Sequence, residues 1–294
     1  MFKKTKFPKA VLKKILRYTI LKKLITAILH NIKQDYVFLF DEKSYSSLYF
    51  CRLATMRSNF VPLNIEKTYI KANAPIFFFA TPTILEHPSF FGENFNNVLY
   101  ADKAYFDRDK YYRTTFGSSQ LNKVLNIDPK RFQKLKINIS DKNRSGNHIL
   151  LCPQSEIFHQ AVGVPQKEWL NLITAEIRKY SDRPIEIKLK NGKKPEKSFR
   201  ESLFDCHSVV VMSSIAGVQA TLQNVPCFAT DINSSSFMLG SGPLSDIENP
   251  SIPDNRYELW CNLANNQWTI PEIINGKMFS DLRTYYPELK KYKF

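Results

Sequence analysis

Short apolar runs separated by polar, helix-compatible stretches dominate the chain. Residues 36–40 (YVFLF), 75–80 (PIFFFA) and 97–100 (NVLY) read as buried strands, with segments of mixed, helical character between them. Residues 118–135 predict a helix with a break at Pro129. The polar stretch 139–147, which contains Gly146, reads as a linker between two halves. The pattern sharpens after it. Residues 148–152 (HILLC) predict a central strand ended by Pro153. Residues 165–180 open on a helix-start proline and repeat apolar residues at Trp169, Leu170, Leu172, Ile173 and Ile177, near the 3.6-residue period. An alternating strand at 185–189, a short helix at 198–204, a β-branched strand at 208–212, a small-residue helix at 215–223 and a strand at 225–229 follow. Strand–helix alternation at this spacing implies a parallel sheet with right-handed crossovers. The expected organisation is therefore α/β: a basic helical segment at 1–35, one half at 36–140, and a Rossmann-like half at 148–294. Neither the GxGxxG fingerprint nor a P-loop occurs.

The composition of the 294 residues, 43% hydrophobic and 13% aromatic, supports a packed core and excludes a disordered chain. Five cysteines without CxxC spacing exclude a zinc ribbon and a disulfide framework, and their odd count suits a reducing compartment. No run of 18 apolar residues is present, and Lys pairs interrupt the N-terminal apolar segments. Neither a membrane span nor a signal peptide is expected, so the expected location is the cytoplasm. Charge adds more. Forty-two basic residues face 27 acidic ones, a net of +15, and residues 1–35 carry ten Lys or Arg against one Asp. Nine of the fifteen excess charges thus sit in that segment. Such a concentration suits a polyanion, nucleic acid or an anionic membrane, with plain solubility as the alternative. Within it VLKKIL at 11–16 recurs nine residues later as ILKKLI at 20–25. Nine residues is half a turn out of phase on a helix, so the two Lys pairs do not share a face. A clean membrane-surface helix would have one apolar face.

The densest candidate chemistry follows the 208–212 strand. Ser213, Ser214 and Gly217 lie where a buried strand meets a helix. Ligands of open parallel sheets sit at strand carboxyl ends, and a helix start there offers free N–H groups to phosphate. Simple N-capping by serine is the structural alternative. Lys188 and Lys190, near the end of the 185–189 strand, are placed to reach a diphosphate or a carboxylate. Ser155 and His159 follow the 148–152 strand and are candidates for the cleft edge, with a purely structural role as the alternative.

The run 204–229 (FDCHSVVVMSSIAGVQATLQNVPCFA) resembles the donor-binding half of GT-B glycosyltransferases, in particular the capsule-type β-Kdo transferases and a set of phage-encoded glycosyltransferases. Asn224 stands where that family usually has glycine before its Pro-x-Phe strand. The stretch from Asp102 through Tyr105-Phe106, Tyr111, Arg113, Thr115 and Gln120 is similar to a D-x-x-Y-F … Y-x-R-x-T … Q pattern in the phage-encoded relatives. The resemblance spans roughly residues 97–280 and implies two Rossmann-like halves with an interdomain cleft. It implies a nucleotide-sugar donor, no other cofactor, and commonly no metal. An inverting enzyme of that kind needs a carboxylate to deprotonate the acceptor hydroxyl and cations for the leaving phosphate. Asp102 is the expected base and Glu93 the reserve; Arg113 binds phosphate or pairs with an acid. Asp107-Arg108-Asp109 has the DxD form of a metal-chelating pair, a short pattern frequent by chance. The expected acceptor is a hydroxylated pyrimidine, such as 5-hydroxymethyl pyrimidine, in phage DNA. The alternatives are a lipopolysaccharide or capsule acceptor at the inner membrane surface, and a non-enzymatic, basic nucleic-acid-binding protein.

Overall fold

Runs of bulky apolar residues without polar interruption suit strands buried on both faces, the usual condition of parallel sheets. The computed structural model describes residues 37–40, 50–51, 61–64, 76–79, 98–140, 146–190 and 197–292. The basic segment 1–35 and Glu93 lie outside the described residues. The strands are β1 (Val37–Phe40), β2 (Val61–Asn64), β3 (Ile76–Phe79), β4 (Val98–Lys103), β5 (Tyr111–Phe116), β6 (His148–Cys152), β7 (Ile185–Ile187), β8 (Cys206–Val211), β9 (Cys227–Ala229) and β10 (Gln267–Thr269). Every strand expected from the apolar pattern overlaps one of them.

Two sheets result. The first runs β10-β5-β4-β3-β1-β2 and the second β7-β6-β8-β9. In the first, β1 to β4 pair in parallel, whereas β5 and β10 are antiparallel additions. The second is parallel throughout. Its crossovers carry α2 (Glu156–Ala161) and α3 (Gln166–Ile177) after β6, α4 (Phe199–Ser202) after β7 and α5 (Ile215–Leu222) after β8, with α1 (Lys130–Lys134) preceding them all. After β9 come α6 (Ser235–Met238), α7 (Arg256–Asn265), α8 (Ile270–Ile274) and α9 (Lys277–Tyr285). No described helix is long and apolar enough to cross a membrane.

The half expected to run from 148 to 294 does not keep its last strand to itself. Residues from Gln267 onward return to the first sheet. Trp268 pairs with Tyr112 across β10 and β5, and Trp268, Met278, Phe279 and Leu282 are buried with Phe77, Phe79 and Leu99. The Phe77 and Phe279 rings meet edge to face at 5.7 Å. Burial of these large side chains, each worth about 1.5–3 kcal/mol, pulls the segment out of the second half.

The helix expected over 118–135 is also corrected. Only Lys130–Lys134 is helical, starting after Pro129 instead of breaking there. The chain before it is held by two side-chain amides of α7. Asn262 Oδ1 accepts from the N–H groups of Leu125 (2.7 Å) and Asn126 (3.1 Å), and its Nδ2 donates to Lys123 O (2.9 Å). Asn265 Nδ2 donates to the carbonyls of Asn126 (3.0 Å) and Asp128 (2.8 Å). These bonds satisfy backbone groups that a helix would have satisfied internally. Tyr105, Phe106, Leu121 and Phe132 close over Val218, Leu222, Trp260 and Leu263 beside them.

Asn262 has no exposed surface. Its replacement by alanine strips three partly buried backbone groups of their partner, and we expect a loss of about 2–3 kcal/mol. Urea unfolding checks this: an unchanged midpoint would mean that the apolar contacts alone shape the 118–135 segment.

Candidate functional site

Strand order sets where a ligand can enter the second sheet. From β6 the chain moves to β7 on one side and then crosses to β8 on the other, so the crevice between β6 and β8 is a topological switch point. A cleft of about 390 Å³ lies at the carboxyl ends of these strands. Cys152, Pro153 and Gln154 follow β6 into it, Lys188, Leu189 and Lys190 follow β7, and Ser214, Ile215 and Ala216 open α5 beside β8. Asp102, Arg108, Arg113 and Gln120 line it from the β4–β5 hairpin and the segment after it.

The hairpin brings Asp102 opposite Arg113 in antiparallel register. Arg113 Nη2 donates to Asp102 Oδ2 at 3.0 Å, and the Lys103 N–H donates to Asp102 Oδ1 at 2.6 Å. Arg113 is only 2% exposed. Its Nε donates to Lys103 O at 3.2 Å and its Nη1 to Ser119 O, while the Tyr105 ring lies 5.0 Å from the guanidinium carbon. Burial opposes the Arg113 charge, but Tyr105, Asp102 and Tyr100 more than offset it, and the guanidinium is held above its ordinary pKa. Burial and the Asp102 charge push the Tyr100 phenol upward, so it stays neutral. Of the two readings left open for Arg113, the pairing with an acid is present in the structure.

Gln120 joins the hairpin side to the second sheet. Its Nε2 donates to Ser213 O, and its Oε1 accepts from the Ser235 N–H at 3.2 Å. Ser213 is buried, and its hydroxyl accepts from Gln154 Nε2 at 3.1 Å, so it braces the crevice and does not line it. Ser214 does line it. It caps α5 by accepting from the Ala216 N–H at 3.3 Å, and its carbonyl accepts from the Gly217 N–H at 3.0 Å. Lys188 and Lys190 both reach the cleft, and Lys188 Nζ is tied to Lys197 O.

Three expected site residues serve the fold instead. Ser155 caps α2 by accepting from the Phe158 N–H at 3.3 Å. His159 is fully buried; its Nδ1 donates to Val164 O at 3.0 Å and its ring lies 5.6 Å from that of Trp169. Burial lowers its pKa and favours the neutral ring. Gly217 is a packing glycine, since a Cβ there would stand 2.6 Å from both Cys227 Sγ and Ser236 Oγ. In the DxD stretch, Asp107 pairs with Lys110 at 2.8 Å and Asp109 is exposed. Among the described residues no group of three or more His, Cys, Asp or Glu side chains could hold a metal ion. Arg108, Gln154, Phe199 and Gln219 line the cleft without having been assigned a role from sequence. Of these, Arg108 carried a signal, a cation within one short turn after the Asp102 strand.

Two substitutions separate framework from ligand contacts. Arg113→Leu leaves Asp102 without its partner and is expected to cost about 3 kcal/mol. Gly217→Ala is expected to cost about 1–3 kcal/mol through overpacking. Thermal melts report both. A Gly217→Ala protein of normal stability but weakened nucleotide binding would return that glycine to the ligand site.

No protein-family model matches the chain, and no curated protein sequence matches it. Among solved structures the chain is similar to the KpsC β-Kdo 2,7 transferase of Thermosulfurimonas dismutans, with a TM-score of 0.49 and 12% identity, over 82% of this chain and 99% of that one.

Proposed function

We propose that the chain is a glycosyltransferase that takes a nucleotide sugar into the β6/β8 cleft and transfers its sugar to a hydroxyl group. The observation that carries this reading is the cleft's charge arrangement. One carboxylate, Asp102, stands on the hairpin side, facing the start of α5 and the lysines after β7. In the proposed step the acceptor oxygen attacks the anomeric carbon, the bond from that carbon to the phosphate oxygen breaks, and Asp102 takes the hydroxyl proton. The charge left on the nucleotide phosphate is met by Lys188 and Lys190, with the positive end of the α5 dipole beside them. Arg113 and the Lys103 N–H fix the Asp102 carboxylate, which leaves it oriented for one proton transfer. The resemblance noted in the sequence points to the same chemistry.

For the acceptor we favour a hydroxylated pyrimidine in DNA, at work in the cytoplasm of a phage-infected cell. The net charge of +15 and the ten basic residues among the first 35 support a polyanionic acceptor. The assay supplies hydroxymethylated DNA, lipopolysaccharide and capsule oligosaccharide, each with a panel of nucleotide sugars. Mass spectrometry of the digested products identifies the transferred sugar. Transfer to DNA is the expected result. Transfer only to a glycan would overturn the acceptor and keep the reaction, and no transfer with any pair would overturn both.

Asp102→Asn is expected to lower the rate by about 10²–10⁴ while leaving nucleotide affinity within twofold. Near-normal turnover of that variant would move the base elsewhere, with Glu93 next in line.

A further inference from the structure

Two arginines reach the cleft, and they are bound very differently. Arg113 spends Nε, Nη1 and Nη2 on Lys103 O, Ser119 O and Asp102. Arg108 comes from the turn between β4 and β5 and, among the described residues, makes one hydrogen bond, from Nη1 to Ala104 O at 2.9 Å. A guanidinium has five N–H donors, so most of those on Arg108 are left for something else.

Its charge is also only partly compensated. Asp102, the one described carboxylate lining the cleft, is already held by Arg113 and the Lys103 N–H. The neighbouring Asp107 is bound to Lys110, and Asp109 is exposed to solvent. Burial works against the Arg108 charge, Asp102 supports it, and Arg113 opposes it, with a net downward push on its pKa. A half-buried cation beside a second cation gains most from an anion that brings planar, paired oxygens. The turn that carries it is well defined: Asp107 adopts a left-handed φ of 46°, and its carbonyl accepts from the N–H groups of Lys110 and Tyr111 at 2.9 and 3.1 Å. Arg108 is thus presented from a closed turn.

We propose that Arg108 is the residue with which the β4–β5 turn grips a phosphate oxyanion in the cleft, Arg113 being a positioning residue behind it. This rests on the nucleotide-sugar reading above. Two sources of that oxyanion exist, the donor's phosphate and a phosphate of a DNA acceptor, and we favour the donor.

The experiment is calorimetric titration of the full chain with a panel of nucleoside mono- and diphosphates and, separately, with an oligodeoxynucleotide. Arg108→Gln is expected to weaken the tightest nucleotide about ten- to hundredfold, with an unchanged melting temperature. Arg108→Lys keeps the charge without the fork, is expected to fall between the two, and serves should the glutamine variant melt early. A loss confined to the oligodeoxynucleotide would support the oxyanion contact with the acceptor as its source. Wild-type affinity of Arg108→Gln or Arg108→Lys for both probes would overturn the proposal and leave the nucleotide-sugar reading standing. A wild-type chain that binds no member of either set would overturn that reading and this one with it.

Discussion

A single buried guanidinium holds the cleft together. Arg113 sits between the Tyr100 and Tyr105 rings and binds the end of β4, the carboxylate beside it and the chain at Ser119. An arginine can be taken out of water this fully only when its donors and charge are met, and here both are. The bond to Ser119 fixes the residue before Gln120, and Gln120 is the amide that fastens Ser213 and Ser235 across the crevice. Tyr105 adds a second fastening, its hydroxyl accepting from the Leu121 N–H at 2.8 Å and from Ser235 Oγ at 3.0 Å. The distance between the carboxylate on one side and the start of α5 on the other is therefore set by Arg113 together with the Tyr105 hydroxyl.

The second sheet was largely legible in the sequence because its two central strands, β6 and β8, are buried on both faces. Burial on both faces leaves runs such as Val209, Val210 and Val211, which have no other stable setting. β5 was not legible as a strand. Arg113, Thr114 and Thr115 look like solvent-facing residues, yet all three are buried, because each finds a partner within the fold. The segment before Pro129 misled for a related reason. Its composition is compatible with a helix, but its backbone is satisfied by Asn262 and Asn265, more than 130 residues away.

The site divides the same way. Asp102, Lys188, Lys190 and Ser214 stand at strand ends, and strand ends are visible in sequence as the point where an apolar run stops. Ser155 and Ser213 follow strand ends too and His159 lies in the helix after β6, but their side chains cap a helix, brace a glutamine or fill the core. Sequence position locates the rim of such a crevice; it does not say which side chains face into it. That depends on which backbone groups nearby lack a partner.

The antiparallel edge formed by β10 bears on how the chain is made. Phe106 and Gln267 exchange hydrogen bonds at 3.1 and 3.2 Å across a separation of 161 residues. As a ribosome delivers the chain from its N-terminus, β5 waits with an open edge until β10 has emerged. Closing so long a loop is slow, and an unpaired edge is a template for pairing with another chain. The buried threonines and Arg113 make the middle of β5 more polar than the apolar run of β3, which guards that edge during the wait. Closing the β5 edge is therefore tied to residues 267–269, more than 150 positions further along the chain.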